Sequence, residues 1–286
     1  MLREIRDLGF EYAELSHGIR ISLVPGVLEG VAAGDIKIST LHNFCPLPIG
    51  VNHAAPNIFK FTSTESRERE NAWRYSLKTL EMAERVKAKL VVLHMGAVEM
   101  KDYTDRLVDM LETTSKDSPK FQKLVEEACE KREAKKERYV NLANEFLSRL
   151  AEEARQKGLL LGIENREAIE EIPFESDFWL FFKEINHPSV RYWHDCGHGQ
   201  IKENLGFINH AMHVETMSPL LAGFHIHDVQ FPGRDHCPPG SGMIDYAALK
   251  PFVKPEHIKV LELAPGVPVE DVQRGYAHIR GIWGPE

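Results

Sequence analysis

The order of strand-like and helix-like segments predicts an α/β chain, and within that class a (β/α)8 TIM barrel that lacks its first β-strand. Three observations carry the prediction. Seven short apolar runs alternate with helical segments, the pattern of a parallel sheet with crossover helices. The first of these runs follows a helix instead of preceding one. Several runs end in an acid or a histidine, and such residues gather at the carboxyl face of a barrel. A doubly wound sheet would also alternate strands and helices, but acids on so many strand ends favour a closed ring.

The 286 residues suffice for a single barrel domain spanning 1–286, with a long helical insert at about 101–157. The chain is 43% apolar and 27% charged, ordinary values for a globular enzyme. No apolar run reaches the ~18 residues of a membrane span, and no secretory signal opens the chain. Four scattered cysteines without CxxC spacing argue against a disulfide framework and for a cytoplasmic location. A formal charge of −8 gives no reason to expect a nucleic-acid partner.

Residues 2–8 read as a helix, stopped by Gly9, and Phe10–Leu15 as a strand. Asp35–His42 is the next strand, followed by a Pro/Gly/Asn-rich loop from Cys45 to about Pro56. Ser63 or Thr64 can cap a helix running to about Lys87, and Ala88–His94 is again a strand. In the insert, Tyr139, Leu142, Ala143, Phe146, Leu147 and Leu150 form an apolar stripe at helical spacing. The Leu159–Arg166 strand is followed by a helix over Phe174–Ile185, whose Trp179, Phe181 and Phe182 read as core. A strand through Val190–Asp195, a helix over 207–218 and a strand over Leu221–Asp228 come next. A Gly/Pro loop through Gly242, a short helix over 245–252, the strand Ile258–Ala264 and a helix over 269–282 complete the pattern.

Glu164, Asp195, His225 and Glu262 stand where four of these strands run out. Three carboxylates and one imidazole suit one divalent ion of the Mn, Mg, Co or Zn group and are too hard a set for copper. Each residue alone has a plain alternative, a solvated carboxylate or a hydrogen-bonded core histidine. The recurrence on four strands is what points to a metal. An ion flanked by two glutamates also suits proton transfer beside a carbonyl, the ion polarising the carbonyl while Glu164 and Glu262 remove and return the proton through an enediolate. His198 and Arg166 are candidates for contacts to substrate oxygens; for Arg166 a surface salt bridge is the alternative. Trp193, beside Asp195, is either an apolar wall for a sugar or core. Cys196 and Cys237 read as packed thiols, and Pro238–Gly242 as a loop, since no lysine follows its glycines.

With these residues in place the chain resembles the xylose isomerase-like TIM-barrel superfamily, which holds sugar phosphate isomerases and epimerases, inosose dehydratases and endonuclease IV. The resemblance rests on His42 in Ser-Thr-Leu-His, His94 in Val-Val-Leu-His, Glu164 in Gly-Ile-Glu-Asn-Arg and Asp195-Cys-Gly-His198. It continues through His225 in His-Ile-His-Asp228, His236-Cys-Pro-Pro-Gly-Ser-Gly242 and Glu262 in Leu-Glu-Leu. It implies an isomerase of the ketose epimerase or aldose–ketose isomerase type, with Glu164, Asp195, His225 and Glu262 as metal ligands and the two glutamates as acid and base. It selects His225 over His227, which shares its face if the strand continues. His42, His94, Arg166, His198, His227 and His236 are then substrate-binding residues or ligands of a secondary metal.

The implied partner is a small sugar or polyol, and homo-oligomer formation is left open. Three other readings accompany this one. An endonuclease IV-like zinc phosphodiesterase would use the extra histidines, but the aspartate it requires two residues before His236 is Arg234 here. A polyol dehydratase would share the enolate chemistry. A non-catalytic sugar- or metal-binding barrel would not need both Glu164 and Glu262.

Overall fold

The computed structural model describes residues 2–284. Its helices are α1 (Leu2–Asp7), α2 (Val24–Ala32), α3 (Ser66–Arg85), α4 (Thr104–Leu111), α5 (Pro119–Glu133), α6 (Lys136–Gln156), α7 (Phe178–Ile185), α8 (Cys196–Asn204), α9 (His210–Met217), α10 (Tyr246–Leu249) and α11 (Val269–Trp283). The strands are β1 (Tyr12–Leu15), β2 (Lys37–His42), β3 (Leu90–Leu93), β4 (Leu160–Glu164), β5 (Val190–Asp195), β6 (Leu221–Ile226), β7 (Asp228–Gln230), β8 (Arg234–Cys237) and β9 (Ile258–Leu261). The chain falls into two units. The first runs to Ala97 and includes Arg138–Glu164 and Asp177–Arg191; the second holds Val98–Glu137, Asn165–Ser176 and the chain from Tyr192 onward.

In the first unit β1, β2, β3 and β4 pair in parallel and in sequence order. Their registers place His42 opposite Val92 and Leu93 opposite Ile163, so the carboxyl ends of β2, β3 and β4 finish side by side. Helix α6 covers this unit with the stripe read from the sequence: Ala143, Phe146, Leu147 and Leu150 are buried, and Tyr139 and Leu142 are half-buried. Phe146 stacks on Phe61 at 3.8 Å, and Trp73 meets Phe146 edge-on. At the start of α3 the cap is Glu65, not Ser63 or Thr64. Ser63 instead accepts from the Glu65 N–H and donates to Glu68, tying the approach loop to the first turn. Trp179, expected in the core, is 61% exposed under the ammonium of Lys183. On α7 it is Phe178 and Phe181 that turn inward.

In the second unit β5, β6 and β9 pair in parallel. Trp193 is fully buried and packs over Gly223, where an added Cβ would lie 2.4 Å from the indole and 2.5 Å from the Ile258 carbonyl oxygen. Only glycine fits there, and Trp193 is core. The strand expected over Leu221–Asp228 ends at Ile226. Asp228 instead opens an antiparallel hairpin, β7 with β8, inside the segment expected to be a plain loop. Its buried carboxylate accepts the N–H groups of Val229, Gly240 and Ile244 and so pins the Gly/Pro segment that follows. Helix α8 has no counterpart in the sequence-based pattern, because Gly197 and Gly199 lower its helical propensity. It forms because Asp195 caps it, accepting the His198 N–H at 2.7 Å. Gly197 is required there: a Cβ would meet the His227 ring at 2.0 Å.

The other face of β5 carries a buried imidazole network. The Tyr192 hydroxyl lies 2.7 Å from His194 Nδ1 and 2.9 Å from His213 Nε2, and His194 Nε2 lies 2.8 Å from His210 Nε2. One ring of the last pair must donate and the other accept, so the network suits neutral histidines. Burial pushes His210 down to about 4 and His213 to about 3, and lowers His194 as well.

Two measurements check this packing. Gly223→Ala should destabilise the protein by about 3 kcal/mol in denaturant unfolding, since the new methyl group meets backbone as well as indole. A loss below about 0.5 kcal/mol would contradict the close approach. The unfolded chain binds protons at histidine near pH ~6.5, well above the folded values, so the stability that neutral histidines contribute is present above that pH. The melting temperature should therefore hold above pH ~6.5 and fall progressively between about 6 and 4. The Tyr192→Phe variant, which breaks the bridge, should melt at a lower temperature at neutral pH.

Candidate functional site

The first unit brings His42, His94 and Glu164 together. His42 Nε2 lies 3.7 Å and His94 Nε2 2.8 Å from the same oxygen of Glu164. Each ring is held at its other nitrogen: His42 Nδ1 donates to the Asn43 carbonyl, and His94 Nδ1 lies 3.1 Å from Asn57 Oδ1. Asn43 is itself fixed, donating to Ser76 and accepting from Thr79. Histidines oriented in this way from behind are typical of sites that present Nε2 to an ion or to a substrate oxygen. His17, just beyond β1, stands edge-on to His42 with ring centroids 4.8 Å apart. Neither His17 nor Asn57 carries a signal in the sequence, because one follows a short strand and the other sits in an irregular loop.

The second unit assembles Asp195, His225 and Glu262 at the ends of β5, β6 and β9. His225 Nδ1 lies 3.0 Å from Glu262 Oε2 and 3.7 Å from Asp195 Oδ2. Asp195 and His225 are fully buried, and 23% of the Glu262 side chain is exposed. The Asp195 backbone is clamped by Asn165, whose amide donates to the Asp195 carbonyl and accepts its N–H. His227 completes the support. The His236 N–H donates to its Nδ1 at 2.9 Å, so the proton of the neutral ring is on Nε2, which donates to Asp195 Oδ2 at 3.0 Å. With both nitrogens engaged, His227 serves to orient Asp195, and His225 is left as the imidazole that faces the carboxylates.

This trio fits a divalent ion. Two carboxylates balance its charge; the 3.0 Å between His225 Nδ1 and Glu262 Oε2 matches the edge of an octahedron with ~2.1 Å bonds, and Asp195 Oδ2 stands 3.7 Å from the same nitrogen. His236 stacks on His227 at 4.2 Å and pairs with Asp235 at 3.0 Å. Burial opposes charge on its ring, but the hydrogen bond and charge of Asp235 outweigh burial and hold it up at about 9. Cys196 is a packed thiol, pushed up by burial.

Arg166 is buried, not a surface cation: its Nε donates to Glu171 at 3.1 Å. His198 lies beside it, its Nδ1 donating to the Asn165 carbonyl at 2.9 Å. Two carboxylates absent from the sequence-based set, Glu167 and Asp235, converge on His198. Neither lies at the end of a long apolar strand, so no pattern marks them.

A family model described as xylose isomerase-like TIM barrel matches residues 2–274. The chain belongs to the xylose isomerase-like TIM-barrel family. Its fold class is therefore an α/β TIM barrel, as the alternating pattern predicts. No curated protein matches the sequence significantly. Among solved structures, 3-keto-D-glucoside 4-epimerase from E. coli aligns over 98% of this chain and 92% of its own, with 17% identity and a TM-score of 0.67. D-Psicose 3-epimerase from Clostridium cellulolyticum H10, solved with D-tagatose, covers 99% and 93% at 13% identity and a TM-score of 0.68. A xylose isomerase-like TIM-barrel protein from Mycobacterium smegmatis, solved in complex with magnesium, covers 99% and 87% at 16% identity and a TM-score of 0.63. Among the described residues of this family member, no helix is long and apolar enough to cross a membrane.

The His227 assignment can be checked directly. Long-range ¹H–¹⁵N spectra at pH ~7.5 should show His227 as the neutral Nε2–H tautomer, with Nδ1 as an acceptor. A proton on Nδ1 would be incompatible with the His236 N–H and would remove the support assigned to Asp195.

Proposed function

We propose that the protein is a divalent-metal-dependent sugar isomerase or epimerase that moves a proton at the carbon next to a ketose carbonyl. The observation that carries this reading is the Asp195–His225–Glu262 cluster, in which one imidazole nitrogen meets two carboxylates at strand ends. Glu164 of the first unit is the second carboxylate of the proposed acid–base pair. It ends β4 as Asp195 ends β5, and the barrels of this family carry their chemistry at the carboxyl ends of the strands. The neighbours that are ketose 3-epimerases and the one solved with magnesium support both the substrate class and the ion.

A bound divalent ion would supply Lewis acidity toward the ketose carbonyl. In this proposal Glu262, the partly exposed carboxylate, takes the proton from the adjacent carbon and Glu164 returns one, passing through an enediolate. His42 and His94 present Nε2 beside Glu164 and suit hydrogen bonds to substrate hydroxyls. Asp195 is fixed by the His227 Nε2–H and the His198 N–H, and in this proposal it binds without taking part in proton transfer. The thiols of the four cysteines are free, which accords with a reducing, cytoplasmic setting.

The test combines metal retention with isotope exchange. Protein dialysed against Mn²⁺ should retain a tightly held ion, and it should catalyse deuterium incorporation from D₂O next to the carbonyl of at least one ketose in a panel of free and phosphorylated sugars. Glu262→Gln should cut exchange by about 10²–10⁴-fold and weaken the ion. Glu164→Gln should cut exchange to a similar extent. Unchanged exchange in both variants, or a folded protein that holds no Mn²⁺ at all, would sink the proposal.

A further inference from the structure

In the first unit, helices α3 and α6 enclose a groove of about 240 Å³ between them. Arg69, Glu70 and Trp73 of α3 line one side, and Glu145, Phe146 and Arg149 of α6 line the other. The spacing is the same on both helices, a neighbour and then the residue one turn further on, so each helix turns the same stripe toward the groove. The floor is aromatic: Phe146 is buried, and half-buried Trp73 meets it edge-on with ring centroids 5.7 Å apart. None of these residues has a place in the proposed chemistry.

What marks the groove is its charge. Two arginines and two glutamates ring the aromatic floor, and among the described residues none of the four joins an ion pair. Arg69 makes one hydrogen bond, to the Ser63 carbonyl at 2.6 Å. Glu145 and Arg149 stand four residues apart, the spacing at which a glutamate and a following arginine pair along a helix. Here the Arg149 guanidinium instead lies over the Trp73 ring, 4.3 Å from its centroid. Stacking holds that cation in one place and leaves its in-plane donors unused. Glu70, Glu145 and Arg149 are all exposed.

We propose that the α3–α6 groove is an interface between two copies of this chain, related by a two-fold axis. The balance of charge selects that partner. A polyanion would meet Glu70 and Glu145, and a polycation would meet Arg69 and Arg149. A second copy presents both signs and can set each against its opposite. A two-fold axis running along the groove lays α3 of each copy over α6 of the other. Arg149 then faces Glu70 of the partner subunit and Arg69 faces the partner's Glu145, and symmetry makes each pair twice. Trp73 and Arg149 are of the residue types that carry most of the energy at protein interfaces. The aromatic floor is small, so the dimer should be a reversible one. The proposal holds whether or not the reading of the catalytic residues is right, because it concerns different side chains.

Sedimentation velocity of the full chain, from low micromolar to near-millimolar concentration, tests it. The wild type should form a dimer, alone or in equilibrium with monomer. Arg149→Glu and Glu70→Arg each set like charges against one another twice, and each should weaken the dimer about 10-fold or more. Both positions are exposed, so both variants should stay folded, with unchanged circular dichroism. Mixed in equal amounts, the two variants should dimerise with each other about as well as the wild type, because every facing pair is again of opposite sign. A wild type that stays monomeric throughout, a dimer that either single variant leaves intact, or a mixture no tighter than the variants alone overturns the proposal.

Discussion

The organisation of the second unit depends on how Asp195 is held. Its backbone is clamped in both directions by the Asn165 amide, and its Oδ1 caps α8 through the His198 N–H. Its Oδ2 takes the Nε2–H of His227 and faces His225. A buried carboxylate is costly unless it is fully hydrogen-bonded, and here each donor also builds structure. The cap starts a helix that two glycines would otherwise discourage. Within that helix Gly197 leaves room for the His227 ring, and β8 supplies the backbone N–H that sets the tautomer of that ring. The fold around β5 and the chemistry at its end thus rest on the same few hydrogen bonds.

The surroundings of β5 show opposite uses of histidine. Beside Asp195, His227 is engaged at both nitrogens and supports a charge. On the other face of the strand His194, His210 and His213 are kept neutral by burial, with Tyr192 bridging His194 and His213 and with His210 bonded to His194. In the first unit, His42 and His94 are different again, each fixed at Nδ1 and aimed by Nε2 at Glu164. The role of each ring follows from what its other nitrogen touches, which composition and spacing do not disclose.

Much of the fold is legible in the sequence because strand runs such as Leu90–Leu93 and Leu160–Glu164 are apolar along most of their length and buried on both faces. The α6 stripe is legible through its 3.6-residue period. The β7–β8 hairpin and α8 are not, because side chains distant in sequence create them. Asp228 gathers amides as far away as Ile244, and Asp195 caps a glycine-rich helix. Trp179 reads as core, and lies outside it, because aromatic composition does not say which side of a short helix faces in. In the candidate site, the residues that end strands are legible, whereas Glu167, Asp235, His17 and Asn57 lie where no period operates. In the sequence the choice of His225 over His227 rests on resemblance; the bond from the His236 N–H to His227 Nδ1 is not legible there, because the hairpin that supplies it is not.

The most direct test is crystallographic. Crystals soaked in Mn²⁺ and measured at the manganese absorption edge should show an anomalous peak at ~2.1 Å from His225 Nδ1 and from carboxylate oxygens of Asp195 and Glu262. Ordered crystals that bind manganese elsewhere but show no peak against these three residues would contradict the account.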